Sequence, residues 1–521
     1  MKKQLQDGNL DFGSNDRSSF QDLFPDYNSH IDTFNFFPTA DSPEQVSLQV
    51  HPAATTLVSS TTHLVTSTST VTDVDYSWNG ITFAQSGGYY PPDNALAAGA
   101  NVVITAENDA IQITTLQGAS PQTESLNTFF SSVMSSGYFL SDPRVLYDAA
   151  HHQFVVAVDE VSNNLNASYI LLAVSKSDLT TSSLSSLSSA NWQFESASTT
   201  YNLNGITTWA DQPLVSVDGH NIYVSTNQFS ASGTYQGSAL SVFDDGLFTT
   251  GSTSTLVNQT PYASPSYQTA ANVGSGPYFG EYLVADTHNS LSIFKSADGL
   301  NTAPLTVSLG TIDYGNGIYS ASQYGTNFRL DAGDGRITGA AYDSANQKLY
   351  VVFEGQPGGS NATPSVEWAQ LDMSAFNSSG GVTAPTVLHT GNLNSLLPTT
   401  GATAGAATFN GSVAVDANGD VLFNFNVSGS HMYAADYFTF WKGAGSAAAT
   451  TTPDFVAPID YRDSVAAYID PAHDRVARWG DYSTATFDPA HANGFYISNE
   501  FDNGTVSHYS SWGTSVDHIL V

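Results

Sequence analysis

The chain has 521 residues, 41% of them apolar and 12% aromatic, and its 47 acidic residues against 13 Lys and Arg give a formal charge of −34. An acidic excess of this size repels phosphate backbones and anionic lipid, which excludes nucleic acid and membrane surfaces as expected partners and leaves neutral glycans, cations and basic surfaces. There is no cysteine, so disulfides, thiolate metal sites and a cysteine nucleophile are excluded too.

Residues 1–77 read as an N-terminal extension. The opening "MKKQLQDGNLDFGSNDRSSF" has two lysines but no apolar run, so it is not expected to be a secretory leader. An acidic, aromatic stretch follows, "FQDLFPDYNSHIDTFNFFP", and then the low-complexity "TTLVSSTTHLVTSTSTVTDVD", which reads as an extended linker or edge strand. No run in the chain approaches membrane-spanning length.

From residue 78 to 516 one grammar recurs: a short strand, an aspartate, a small turn, and a strongly apolar strand. It appears as "RVLYDAAHHQFVVAV" around Asp148, "LVSVDGHNIYVST" around Asp218, "AAYDSANQKLYVVF" around Asp343, "VAVDANGDVLFNF" around Asp416 and "TATFDPAHANGFYIS" around Asp488. Period-2 alternation before the turn and β-branched or aromatic residues after it mark a β-hairpin, and the aspartate can cap the turn through backbone N–H groups. Asp148 and Asp218 are 70 residues apart, Asp343 and Asp416 are 73, and Asp416 and Asp488 are 72. The gap of 125 between Asp218 and Asp343 leaves room for a divergent copy, expected in Tyr278 to Gly299. Another copy is expected upstream in "GANVVITAENDAIQITTLQG", around Asn108 and Asp109. Seven such units predict an all-β, seven-bladed β-propeller, because radially repeated sheets bury both faces and leave short edges; a solenoid or sandwich is the alternative.

Acids recur ahead of the hairpins. Asp211 and Asp481 lie seven residues before Asp218 and Asp488, while Asp142 and Asn410 lie six before Asp148 and Asp416. In a propeller these positions begin the innermost strands and ring one mouth of the channel. Four of the seven arginines, Arg144, Arg336, Arg462 and Arg478, crowd the same segments as "DPR", "DGR", "YRD" and "RWGD", with Asp334 in the second. One reading makes the pairs structural salt bridges that lock blade to blade. The other makes them a ligand site, with carboxylates holding Ca²⁺ or serving as general acid and base and arginines holding an acidic sugar. A second calcium candidate is "DANGD", where Asp416, Asn418 and Asp420 put oxygens at alternate positions but lack the following Gly and distal Glu of an EF-hand; a plain turn is the other reading. His151 and His152 are adjacent and point apart, and "GTSVDHILV" has no nucleophile elbow around its serine. The tryptophans of the blade segments are expected in the core first and against glycans second.

Landmarks in the same order, "PPDNALAAGANVVITAEN", "SDPRVLYD", "YILLAVSKSDL", "WADQPLVSVDGHNIYVSTNQFS", "LDAGDGRI", "RWGDYSTATFDP" and "SSWGTSV", resemble those of bacterial, mostly secreted proteins with sialidase-like β-propellers. The resemblance implies the fold and an extracellular place, and no common reaction. Sialidase activity is not expected, since no well-formed S-x-D-x-G-x-T-W box is present and "SADGLN" at Ser296 is a poor match. The final "VDHILV" resembles the acidic-then-apolar terminus of type I secretion substrates, which makes residues 517–521 a candidate export signal and a type I exporter an expected partner; the other reading is the end of a closing strand. The function expected is therefore a secreted or surface-exposed propeller that binds glycan or protein ligands, the alternative being a polysaccharide hydrolase or lyase that uses the Asp and Arg set at the channel mouth.

Overall fold

The computed structural model describes residues 74–521 apart from 181–186, 204, 250–254, 263–265, 274–280, 287–289, 298–299, 310–318, 358–361, 449, 470–475 and 507–508. Residues 1–73, which make up most of the expected extension, lie outside the described residues.

The apolar strands that follow each hairpin aspartate are buried along their whole length in Gln153–Ser162, Asn221–Ser230 and Val421–Gly429. A strand buried on both faces must be covered on both, and here the covers are the neighbouring sheets. The chain is an all-β propeller. Among the described residues, seven sheets of four or more strands, antiparallel but for the short Ala271–Val273 that runs parallel beside Ile337–Asp343, follow one another around a ring. Blade 1 is Ala95–Ala98, Val102–Glu107, Ala110–Thr115 and Gln122–Ser125. Blade 2 is Tyr138–Asp148, Gln153–Ser162, Ser168–Ser175 and Trp192–Ser198, and blade 3 runs from Ile206–Val217 through Asn221–Ser230 and Tyr235–Asp244 to Leu256–Tyr262. Blade 4 starts at Gln268–Thr269 and continues through Glu281–Asp286 and Ser290–Ala297 to Leu305–Ser308. Blade 5 is Ile337–Asp343, Lys348–Gly355, Ser365–Asp372 and Thr386–Asn392, and blade 6 is Ala407–Val415, Val421–Gly429, Met432–Trp441 and Ile459–Asp463. The first-named strand of each blade is innermost, and these strands abut from blade to blade until the last meets the first.

Blade 7 closes the ring with both ends of the described chain. Thr484–Phe487, Gly494–Val506 and Tyr509–Leu520 are completed by Val74–Thr82, which pairs antiparallel with Tyr509–Leu520 in a register that sets Ser77 opposite Asp517 and Val74 opposite Ile519. Residues 74–77, expected in the extension, therefore belong to the propeller. So do residues 517–520, which continue the closing strand rather than forming a separate tail. His518 is buried, with Nε2 2.9 Å from Asp488 Oδ2 and Nδ1 3.3 Å from Asp75 Oδ2, so one imidazole ties the inner hairpin of the blade to its outermost strand.

All five hairpin aspartates cap their turns. Oδ1 of Asp148, Asp218, Asp343, Asp416 and Asp488 accepts a backbone N–H from Ala150, His220, Asn346, Asn418 and Ala490, at 2.8–3.0 Å. Two expected hairpins sit one strand further out than the rest. The Asn108–Asp109 turn and the Tyr278–Gly299 segment join second and third strands, because in these blades the innermost strands are the short Ala95–Ala98 and Gln268–Thr269. Inner and outer hairpins carry the same apolar alternation, so periodicity alone does not separate them.

Trp192, Trp209, Trp368, Trp441, Trp479 and Trp512 are all buried, as core packing requires. A small extra sheet, Ser320–Ser322 with Arg329–Asp331 and Val476–Ala477, lies over the mouth where the inner strands begin. Its Ala321, Leu330 and Ala477 pack with Trp479, Phe409 and Trp512, which roofs blades 6 and 7.

Candidate functional site at the channel mouth

Several inner strands enter the ring through an irregularity that re-aims their side chains. In blades 2, 3 and 6 a β-bulge sets two residues against one, between Ser141 and Arg144, Asp211 and Leu214, and Phe409 and Ser412. The first bulged residue has positive φ in each case: 52° at Asp142, 52° at Gln212 and 49° at Asn410. Asp and Asn tolerate this left-handed conformation better than most residues. The bulge makes Gln212, not Asp211, the counterpart of Asp142 and Asn410, a one-residue phase difference that the six- and seven-residue spacings already carried.

Asp142, Arg144, Asp211, Asp334, Arg336, Arg478 and Asp481 come together at this mouth. Arg478 reaches Asp481 at 3.3 Å, with side chains 6% and 7% exposed, and Arg336 reaches Asp334 at 2.9 Å. The Arg144 guanidinium lies 3.4 Å from the centre of the Tyr482 ring and its Nε donates to the Pro213 carbonyl at 3.0 Å, which links blades 7, 2 and 3. Tyr482 Oη in turn donates to Asp142 Oδ1 at 3.2 Å. The backbone of "RWGD" is held by acids as well: Gly480 N–H donates to Glu500 Oε2 at 2.5 Å, and Asp481 N–H to Asp93 Oδ1 at 2.8 Å. Gly480 is glycine for space rather than for φ, since a Cβ there would sit 3.1 Å from Glu500 Oε2.

Arg462 is elsewhere. It lies on the outermost strand of blade 6, opposite Asp436 in the ladder, with its guanidinium 4.8 Å from the Phe501 ring centre, because "YRD" is a fourth-strand motif and fourth strands stand at the rim. Asp416, Asn418 and Asp420 form a capped turn in which Asp416 Oδ1 accepts N–H from both Asn418 and Asp420 at 2.8 Å and Gly443 N–H donates to Asp420 Oδ1. Two of their carboxylate oxygens are thus engaged with backbone.

Residues not singled out by the inner-strand spacing complete the mouth. A polar residue recurs near the mouth end of the second strand: Glu107, Asp159, Asn227, Glu354, Asn426 and Glu500, all buried. The signal was available, since in blades 2, 3, 5, 6 and 7 these residues follow the hairpin aspartate by 9 to 12 positions and interrupt apolar strands such as "FVVAVDEV" and "LYVVFEG". Gln212, Asp334, Arg336, Asn410, Trp479 and Asp481 line a small polar pocket beneath the extra sheet.

Burial dominates the electrostatics. Loss of water, the Asp481 charge and then the opposing pull of Arg144 leave the Asp142 carboxyl pushed up to about 6. Desolvation followed by neighbouring carboxylates raises Asp93, Asp159 and Asp211 well above the ordinary range. Burial similarly lifts Asp502 to about 7 and Glu367 to about 8. A carboxyl whose folded pKa exceeds its unfolded one destabilises the fold above the folded pKa, and the penalty disappears as pH falls towards the unfolded value. With chelator present, the protein is therefore expected to melt at a higher temperature at about pH 5 than at about pH 8. A lower melting temperature at the acidic value would contradict this assignment of buried, destabilising acids.

No protein-family profile and no curated protein matches the chain. Solved structures do resemble it. A protein of unknown function from Dyadobacter fermentans is 12% identical with a TM-score of 0.40, over 74% of this chain and 96% of that one. The GH93 α-L-arabinofuranosidase of Fusarium graminearum, solved with arabinobiose, is 9% identical with a TM-score of 0.37, over 82% and 92%. The Hadza microbial sialidase Hz136 is 11% identical with a TM-score of 0.35, over 65% and 64%. At such identities and TM-scores these likenesses carry no argument about family or activity, and the propeller is read from the sheets themselves.

Proposed function

We propose that the chain is a secreted or cell-surface binding protein that takes a glycan or protein ligand on the propeller face bearing the Arg336 pocket. The observation that carries this reading is the pocket itself. Its Arg336, Asp334, Gln212 and Asp481 set fixed donors and acceptors on a rigid framework beside Trp479; the cavity has room for little more than a water, so it would receive one polar group of a ligand resting on the face. Arg336 Nη1 is already aligned by Gln212 Oε1, and its Nε by Asp334, so little side-chain entropy is lost when a ligand binds.

A hydrolase or lyase is the second reading, favoured by one feature: a carboxyl raised to about 6 at Asp142 suits a general acid. Binding is preferred because Asp142 and its neighbour Asp211 are buried, out of reach of a polysaccharide. Export by a type I route belongs to the same proposal and is supported by the acidic, cysteine-free composition. An exporter that reads residues 517–521 would have to meet them before the ring closes, since Asp517, His518 and Ile519 are buried afterwards.

An array of neutral and acidic oligosaccharides tests the binding reading. The protein is expected to retain at least one glycan, and Arg336→Ala to weaken that interaction by about tenfold or more while the variant still melts cooperatively. Absence of any glycan or protein ligand, or equal binding by Arg336→Ala, would reject the pocket.

A further inference from the structure

Asp142, Asp159 and Asp211 stand apart from the salt-bridged pairs around them. Each offers a carboxylate oxygen, and the three oxygens lie within 4.8 Å of one another. All three residues are essentially inaccessible to solvent. Both oxygens of Asp159 and both of Asp211, together with Oδ2 of Asp142, have no hydrogen-bond partner among the described residues.

The comparison with other blades makes these orphan oxygens informative. At the equivalent second-strand position Glu107 Oε1 accepts from Thr514 Oγ1 at 2.8 Å, and Glu500 Oε2 accepts from Gly480 N–H. Asn227 donates to Gln212 Oε1 at 3.0 Å, and Asn426 donates to Asp436 Oδ1 at 2.8 Å. Asp159 has neither oxygen engaged, and it faces two further acids. Buried polar groups are almost always satisfied, and a carboxylate left bare in the interior is costly.

We propose that Asp142, Asp159 and Asp211 hold a divalent cation of the hard, oxygen-seeking kind, calcium fitting best, and that this ion staples blade 2 to blade 3. Oxygens bound at about 2.3–2.6 Å to a common centre lie at most about 5 Å apart, which is the separation these three keep. Charge agrees: Arg144 acts on both Asp142 and Asp159, and the other nearby arginines, Arg336 and Arg478, are already paired with Asp334 and Asp481, so the three carboxylates and the Arg144 guanidinium leave two negative charges for a divalent ion to neutralise. With neither sulfur nor imidazole in the set, softer metals are disfavoured. The staple would act across chain segments far apart in sequence, since Asp142 and Asp159 occupy the first two strands of blade 2 and Asp211 the innermost strand of blade 3.

Equilibrium dialysis with calcium, paired with thermal melts in calcium and in chelator, tests the proposal on the full chain. The unaltered protein is expected to take up one ion per chain and to melt higher as calcium rises. Asp159→Asn and Asp211→Asn keep the side-chain volume and remove the charge. Each should abolish the uptake and the calcium-dependent shift, yet melt no lower than the unaltered protein in chelator, because the variant has lost a buried, unpaired charge. That last readout separates a metal ligand from a merely structural acid. Absence of saturable uptake of calcium, magnesium or manganese by the unaltered protein would overturn the site. So would uptake that survives both substitutions, or uptake abolished by Asp416→Asn and Asp420→Asn instead.

Discussion

Replacing Arg478 with alanine is expected to destabilise the protein by about 3–5 kcal/mol, the cost of leaving a buried carboxylate without its partner rather than the small value of an exposed pair. The distinction rests on burial: Arg478 and Asp481 lie 3.3 Å apart and both are almost wholly covered. Arg478 also counters the charges of Asp93, Asp142 and Asp211, so its loss is felt by acids in blades 1, 2 and 3 as well as at Asp481. Chemical denaturation of Arg478→Ala measures the effect. Adding Asp481→Asn should restore a large part of it, since the amide needs no counter-charge and the backbone N–H bond from residue 481 to Asp93 is kept. If Arg478→Ala unfolds within about 0.5 kcal/mol of the unaltered protein and loses ligand binding instead, the pair serves the ligand and not the fold.

Removal of residues 517–521 is expected to be at least as damaging, on the order of 5 kcal/mol or more. Ile519 packs with Phe495, Ile497 and Phe438 in the core between blades 6 and 7, and deleting a buried aliphatic side chain costs about 2–5 kcal/mol. Loss of His518 also removes one of the two imidazoles that hold Asp488 Oδ2, the other being His491 at 2.7 Å. The Val74–Thr82 strand also loses its pairing from Ser77 back to Val74. Limited proteolysis and near-ultraviolet circular dichroism of the truncated chain check this, and an unchanged melting temperature would refute the closing role of the segment. Intracellular retention of such a truncation would accordingly report on folding as well as on any export signal.

Strand, turn and repeat were legible in the residues themselves. Alternation up to an aspartate, a small turn and an apolar strand are local properties, so five hairpins, their capped turns and the ring of seven blades could be read without coordinates. The acids and the asparagine six or seven residues before four of the hairpins were legible for the same reason: a nearly constant offset along a strand places side chains at nearly one height in the ring. Seven of the eight mouth residues singled out by that offset and by the Asp–Arg motifs do meet there, and Arg462 does not, because the motif says nothing about whether its strand is first or fourth in its blade. Only the tertiary structure decided what depends on stacking between blades. Asp159 lies beside Asp142 across the first hairpin of blade 2, but Asp211 joins them only once blades 2 and 3 pack face to face. Asp75, Asp488 and His518 meet when the two ends of the described chain share one sheet. Burial, which turns Arg478 and Asp481 from a modest surface pair into a strong one, likewise comes from the roof of strands drawn from two distant insertions. Backbone geometry and hydrophobic period act over a few residues, whereas pairing of charges and exclusion of water are set by whichever segments the closed ring brings together.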